Sequence, residues 1–299
     1  MNKENIRPKN LKTKIFLDSG DPKETIKAIE VLGFLDGQTT NPSLIANNPE
    51  VVDKLKKEGR FSEKEIRDFY KGTIKEISGL IPQGSVSVEV YVDSDTTSPQ
   101  ILKEAREMSS WVKNAHVKIP ITKEGLLAAH QAVKEGINVN MTLCFTEEQA
   151  AAVSLATKDA SKKGDVFISP FIGRLDDIGK DGLSLVFNVL KSYKNYEGNK
   201  VEVLAASVRN MSQFMACLRG ECDIITAPFK VLAEWAGKGC PIPDNNFDYK
   251  SGFKEISYEG VLEKTLVSAE AWREMNLKNE LTIKGLEKFV TDWKNLISS

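Results

Sequence analysis

Eight short runs of strand-forming residues, each followed by a stretch with helical periodicity, leave few folds open to this sequence. The runs fall at residues 14–18, 37–41, 85–92, 115–120, 138–144, 165–171, 201–208 and 222–227. Between them lie amphipathic segments such as PKETIKAIEVLG, KEGLLAAHQAVKEG and DGLSLVFNVLKSY, each stopping near a glycine or a polar cluster. Strand and helix alternating eight times predict a (β/α)8 barrel. An open doubly wound sheet is the competing arrangement, but the first turn, FLDSGDPKE, lacks the G-x-G-x-x-G that usually opens one. We read residues 1–299 as a single barrel domain. Two segments exceed a minimal barrel: the charged region 49–80, and an insertion at 238–280 ahead of a C-terminal helix at 281–299. The pattern YEGVLEKTLVSAEAWREM predicts an extra helical pair packed outside the barrel.

Charge removes several classes of partner. Forty-one basic residues balance forty-two acidic ones, and no block of one sign stands out, which argues against nucleic acid and anionic membrane. The apolar runs fall well short of the roughly 20 residues a membrane helix needs. MNKENIRPKNLKTK has no apolar stretch of the signal-peptide kind, so the cytoplasm is the expected compartment. Cys144, Cys217, Cys222 and Cys240 have no framework of spacing and are expected as free thiols. No His and carboxylate pair has metal-ligand spacing, so neither a metal nor another cofactor is expected. A homo-oligomer is expected.

Strand parity locates a site. Barrel strands show alternate residues to the interior and to the surrounding helices. In SVSVEVY, Val86, Val88 and Val90 alternate with Ser85, Ser87 and Glu89; in HVKIP, Val117 and Ile119 flank Lys118. In NVNMTLC the apolar residues alternate with Asn140 and Thr142, and in DVFISPF Ser169 and Phe171 share a parity. Asp18 ends the first run, Thr39 and Asn41 the second, and Ser207 with Arg209 the seventh. One mouth thus collects a lysine, two carboxylates, amides, hydroxyls and an arginine, at the C-terminal face where such barrels carry their sites. Local hydrogen bonding accounts readily for a single Ser or Thr. It accounts poorly for Lys118, because lysine is seldom buried without a partner or a task. Desolvation lowers a lysine pKa, and a neutral amine can attack a ketone to form a Schiff base. Asp18 could then move a substrate proton, and Glu89 could cycle water with help from Thr142. Asn41, Asn140 and Ser169 could hold hydroxyls, while Arg174 and Arg209, aided by Ser207, suit a phosphate. His116 reads as a bonded core residue and His130 as structural or exposed.

Five ordered motifs, FLD ending at Asp18, TTNPSL (39–44), VKIP (117–120), SPFIGRLDDIG (169–179) and LAASVRN (204–210), resemble the transaldolase family. The likeness runs from about residue 14 to 235 and resumes at LTIKGLEKFVTDW (281–293). It implies a metal-free aldol mechanism on sugar-phosphate substrates. In it Lys118 matches the Schiff-base lysine, on the fourth strand, and Asp18 the proton-transfer aspartate. Asn41, Asn140, Thr142 and Ser169 match positions around the dihydroxyacetone unit and the catalytic water, and Arg174, Ser207 and Arg209 the phosphate set; Glu89 joins Lys118, Asp18 and Thr142 as an expected catalytic residue, and Thr39 and Phe171 are expected to bind substrate. The related fructose-6-phosphate aldolases resemble this chain less at three positions, since they look to carry Gln for Glu89, Tyr for Phe171 and no counterpart of Arg209. The resemblance therefore implies transfer of dihydroxyacetone within the pentose phosphate pathway. Release of free dihydroxyacetone, or a differently charged sugar such as a sulfonated one, stands as the alternative, and a catalytically silent barrel as a third. Ser19-Gly20 departs from the family's usual Thr-Ala, and the insertion leaves the acceptor open.

Overall fold

The computed structural model describes residues 7–298, apart from residues 245, 266, 267 and 269. Its centre is a closed parallel barrel of eight strands. These are β1 (Lys14–Asp18), β2 (Gly37–Thr39), β3 (Ser85–Glu89), β4 (Ala115–Pro120), β5 (Val139–Cys144), β6 (Val166–Pro170), β7 (Val201–Ala205) and β8 (Ile224–Ala227), with β8 paired back to β1. The (β/α)8 architecture expected from the alternation is therefore the one observed.

Local chemistry sets the helix ends. Asp21 accepts from the Lys23 N–H at the start of helix Pro22–Leu32, Pro22 supplies a preset φ, and Gly33 closes it at φ 75°. Helix Glu63–Leu80 opens on a reciprocal capping box between Ser62 and Glu65. The outward parity of the strands, including Val86, Val88, Ile119, Met141, Ile168 and Val203, is wholly buried beneath these helices. Burying each such side chain contributes roughly 1.5–3 kcal/mol.

The inward parity forms two layers. At the lower one, Phe16 and Phe167 meet edge to face at 6.0 Å, and His116 stacks on Phe167 at 4.0 Å. Gly37 makes room for this plug, since a Cβ there would sit 2.5 Å from Phe16 Cζ. His116 Nε2 lies 2.9 Å from the Gly164 carbonyl and Nδ1 2.7 Å from Ser85 Oγ, so Nε2 carries the proton and Nδ1 accepts from the serine. Burial pushes the His116 pKa down to about 4, and it is the bonded core residue expected. The polar mouth thus stands on an aromatic floor.

Four strands stop earlier than their apolar patterns suggest, always at the mouth, β6 by one residue because Phe171 begins the helix Ile172–Asp176. β2 ends at Thr39 because Asn41 turns out to cap helix Pro42–Ala46, its Oδ1 accepting from the Leu44 N–H. β3 ends at Glu89. β7 ends at Ala205 because Ser207 adopts φ 57°, which an extended strand cannot continue.

The insertion lies along the outside of the barrel. Lys254 exchanges backbone hydrogen bonds with Gly179 and Asp181. Ser184 accepts from the Ile256 N–H, and the Glu147 carboxylate receives the N–H groups of Glu259 and Gly260. Trp272 is buried against His130, 5.2 Å between ring centroids. Of the expected helical pair, Val261–Thr265 is helical and Ala271–Glu274 is a 3-10 turn; residues 266, 267 and 269 lie outside the described residues. The four cysteines are buried, and none is in a disulfide, as expected.

Candidate active site

Lys118 and Glu89 occupy neighbouring, register-matched positions on β4 and β3. Lys118 Nζ lies 3.2 Å from Glu89 Oε2 and donates to the Thr40 carbonyl at 3.3 Å. Both side chains are almost wholly buried, at 4% and 1% exposure, so this is a desolvated ion pair and not a surface contact. Burial pushes the Glu89 pKa up, opposed by Lys118 and then by Arg174. The contact to Lys118 is ionic, and neither Glu89 oxygen has a well-directed hydrogen-bond donor among the described residues; the same holds for Thr142 Oγ1.

Asp18 faces this pair from β1. Burial raises its pKa, and Lys118 and the Thr39 hydroxyl pull it back in that order. Thr39 donates to Asp18 Oδ1 at 2.7 Å, so the hydroxyl of Thr226, 2.6 Å from Thr39, must donate to Thr39 in turn. On the opposite wall Asn140 is locked on both sides. Its amide nitrogen donates to Ser87 Oγ at 3.0 Å and its oxygen accepts from Ser169 Oγ at 2.7 Å.

A cavity of about 180 Å³ opens above these groups. Asp18, Thr39, Asn41, Lys118, Ser169, Phe171, Arg174 and Ser207 line it, which is eight of the twelve residues expected from sequence. Glu89, Asn140 and Thr142 lie in the packed layer around Lys118. Arg209 is turned aside: its guanidinium forks onto both oxygens of Asp177, a pair about half exposed. Three larger hollows, about 460, 580 and 290 Å³, lie elsewhere, and the first reaches Glu89 from the side of Tyr70 and Trp293.

Two glycines shape the arginine end. A Cβ at Gly173 would fall 2.3 Å from Arg209 Nε, and one at Gly285 would fall 2.5 Å from Arg174 Nη1. Arg174 lies between the rings of Phe171 and Phe289, at 5.3 and 5.5 Å. Burial lowers its pKa, but a guanidinium stays charged in proteins.

Gly285 and Phe289 belong to helix Glu280–Lys294, which covers the mouth. Its Asp292 accepts from Ser43, next to the Asn41 cap, and from Lys288. Its Thr282 donates to the Leu143 carbonyl at 3.0 Å. Leu143 has φ 62° beside an irregularity in the β5–β6 register, so this helix holds a strained residue one position from Thr142. Sequence reasoning missed Thr226, Lys288, Phe289 and Asp177. Thr226 shares the inward parity of β8 and was open to the same argument; the others depend on how distant segments meet.

A lysine paired with a carboxylate on adjacent strands, a second carboxylate across the mouth and arginines at the rim are a set of reactive groups such as a barrel enzyme carries. Comparison with known proteins agrees. Residues 15–299 match the family model described as "Transaldolase/Fructose-6-phosphate aldolase", and the chain belongs to that family. A probable transaldolase of Dehalococcoides mccartyi is 39% identical over 221 residues, covering 74% of this chain and 89% of that one. One from Methanococcus maripaludis is 40% identical over 235 residues, covering 79% and 94%. One from Leptospira biflexa is 41% identical over 220 residues, covering 73% and 87%.

Proposed function

We propose that this protein is a transaldolase, moving a dihydroxyacetone unit from a ketose phosphate such as fructose 6-phosphate or sedoheptulose 7-phosphate to an aldose phosphate. The observation that carries the reading is the desolvated Lys118–Glu89 pair facing Asp18 across the mouth. Glu89 takes the ammonium proton, and the freed amine attacks the ketose C2 carbonyl. The resulting carbinolamine loses water as Glu89 returns a proton to the leaving hydroxyl, with Thr142 Oγ1 holding that water. Asp18 then removes the proton of the C4 hydroxyl. The C3–C4 bond breaks, its electrons move into the iminium to leave an enamine, and the aldehyde departs. An incoming aldehyde is attacked by the enamine carbon, Asp18 protonates the new alkoxide, and water releases the ketose from Lys118. Raised carboxyl pKa values suit both acids to proton exchange nearer neutrality than ordinary carboxylates. Arg174, Ser207 and Arg209 hold the phosphate, and Thr39, Asn41, Asn140, Ser169 and Phe171 shape the three-carbon pocket. A cytoplasmic homo-oligomer working in the pentose phosphate pathway fits this role.

Borohydride reduction in the presence of fructose 6-phosphate should add a three-carbon mass to Lys118, and Lys118→Ala should neither trap nor turn over. Normal turnover by Lys118→Ala would sink the mechanism. Product analysis with and without erythrose 4-phosphate separates transfer from release. Transfer is favoured by the carboxylate at 89, the absence of a phenol at Phe171 and the presence of Arg209; free dihydroxyacetone without an acceptor would make the chain an aldolase instead.

A further inference from the structure

Parallel strands form an evenly spaced ladder, in which each N–H finds the carbonyl one step along its neighbour. Between β2 and β3 the Thr40 N–H donates to the Ser87 carbonyl at 3.1 Å. The next rung would join the Glu89 N–H to the Thr40 carbonyl. It is missing. The Glu89 N–H donates instead to the hydroxyl of Tyr70 at 2.9 Å, and the Thr40 carbonyl accepts from Lys118 Nζ.

Tyr70 reaches this rung from helix Glu63–Leu80, outside the barrel, and is 2% exposed. Its ring is fixed edge-on to Trp111 at 5.8 Å and tilted against Trp293 of the covering helix at 5.9 Å. Proton directions around its hydroxyl are forced. Thr40 Oγ1 lies 2.8 Å from the Ser87 carbonyl, which can only accept, so the Thr40 proton goes there. Thr40 Oγ1 therefore accepts from Tyr70, 2.9 Å away, and the Tyr70 oxygen is left to accept from Glu89. Burial raises the phenol well above its ordinary pKa, so this polarity is constant across working pH.

We infer that Tyr70 is a positioning residue for the lysine chemistry: its hydroxyl substitutes for a strand carbonyl, so that the Thr40 carbonyl is released to orient Lys118 while Glu89 is held beside it. Tyr70 touches neither substrate nor Lys118 and acts through those two backbone groups. The inference rests on the reading that Lys118 forms the imine.

Tyr70→Phe keeps the ring and deletes the acceptor, so the Glu89 N–H turns back to the Thr40 carbonyl and Lys118 loses its anchor. Trp111→Phe keeps the Tyr70 hydroxyl and both backbone groups while loosening the packing on the Tyr70 ring. In Tyr70→Phe, kcat and the rate of borohydride-trapped imine formation should fall roughly 10- to 100-fold, as a misplacement of about an ångström does, with KM within about threefold. Trp111→Phe should hold both rates within about threefold, although it too lowers Tm by thinning a buried contact. Equal rate losses in the two variants at matched folded fraction would reduce Tyr70 to a structural part. Trapping by Tyr70→Phe at the parent rate would overturn the inference outright. Absence of any imine in the parent protein would instead defeat the reading on which it rests.

Discussion

Gly285 sits inside a fifteen-residue helix, where alanine would be favoured by about 1 kcal/mol. Steric room explains its use. The Cβ of Gly285→Ala would lie 2.5 Å from Arg174 Nη1, and 2.7 and 3.0 Å from the two terminal carbons of Leu143. Ordinary contact needs roughly 3.5–4.0 Å, so Arg174 must retreat by about an ångström. The atoms met are all ends of flexible side chains, so overpacking falls toward the lower part of its usual range of about 1–3 kcal/mol. The helix gain offsets much of that, and Tm should move by only a few degrees. Function should respond more strongly. A hydrogen bond to a charged group contributes about 1.5–3 kcal/mol, so losing the Arg174 contact should raise KM for fructose 6-phosphate roughly 10- to 150-fold. Steady-state kinetics with fructose 6-phosphate and with unphosphorylated fructose is the assay. The second substrate should show almost no change in KM. Equal effects on both sugars, or none on either, would refute the assignment of Arg174 to the phosphate.

Asp18→Asn should abolish transfer while raising Tm near neutral pH. Asp18 has a raised folded pKa, so its stabilising contribution is full below the unfolded value near 3.8 and is lost as pH rises through the folded value. The Tm advantage of Asn should therefore shrink on titrating down toward pH 4, and a constant advantage in thermal melts would contradict the linkage. Asp177→Asn should release the Arg209 fork; because an exposed pair is worth at most about 1 kcal/mol, KM for phosphorylated substrate should fall by no more than about fivefold. A rise in KM would mean that Asp177 orients Arg209 instead of competing with phosphate.

The barrel and its chemical centre were legible because both follow from alternation. Val117 and Ile119 face helices, so Lys118 must face inward, and the same counting places Glu89, Asn140, Thr142 and Ser169. Counting failed at the strand ends, where side-chain chemistry overrides the pleat. Asn41 left β2 to cap a helix, and Ser207 entered the left-handed region. Tyr70, Phe289 and Lys288 were illegible for another reason. Their helices are amphipathic like any other, and only tertiary docking brings a phenol to a ladder rung or a phenylalanine to the mouth. The insertion kept its place outside the barrel, with backbone hydrogen bonds to neighbouring loops and side chains supplying much of its attachment.

The hollows at Gly173 and Gly285 divide the site into two independently adjustable ends. The amine end is tied to the barrel ladder itself, where a change propagates through Glu89, Thr40 and Lys118 together. The anion end rests on two residues that have no side chain to repack. One methyl group at the Gly173 hollow meets Arg209 first, and one at Gly285 meets Arg174 and the side-chain tips of Leu143. Selection for a different anionic sugar thus has single-step routes that do not pass through loss of the lysine chemistry, and a designer has the same routes.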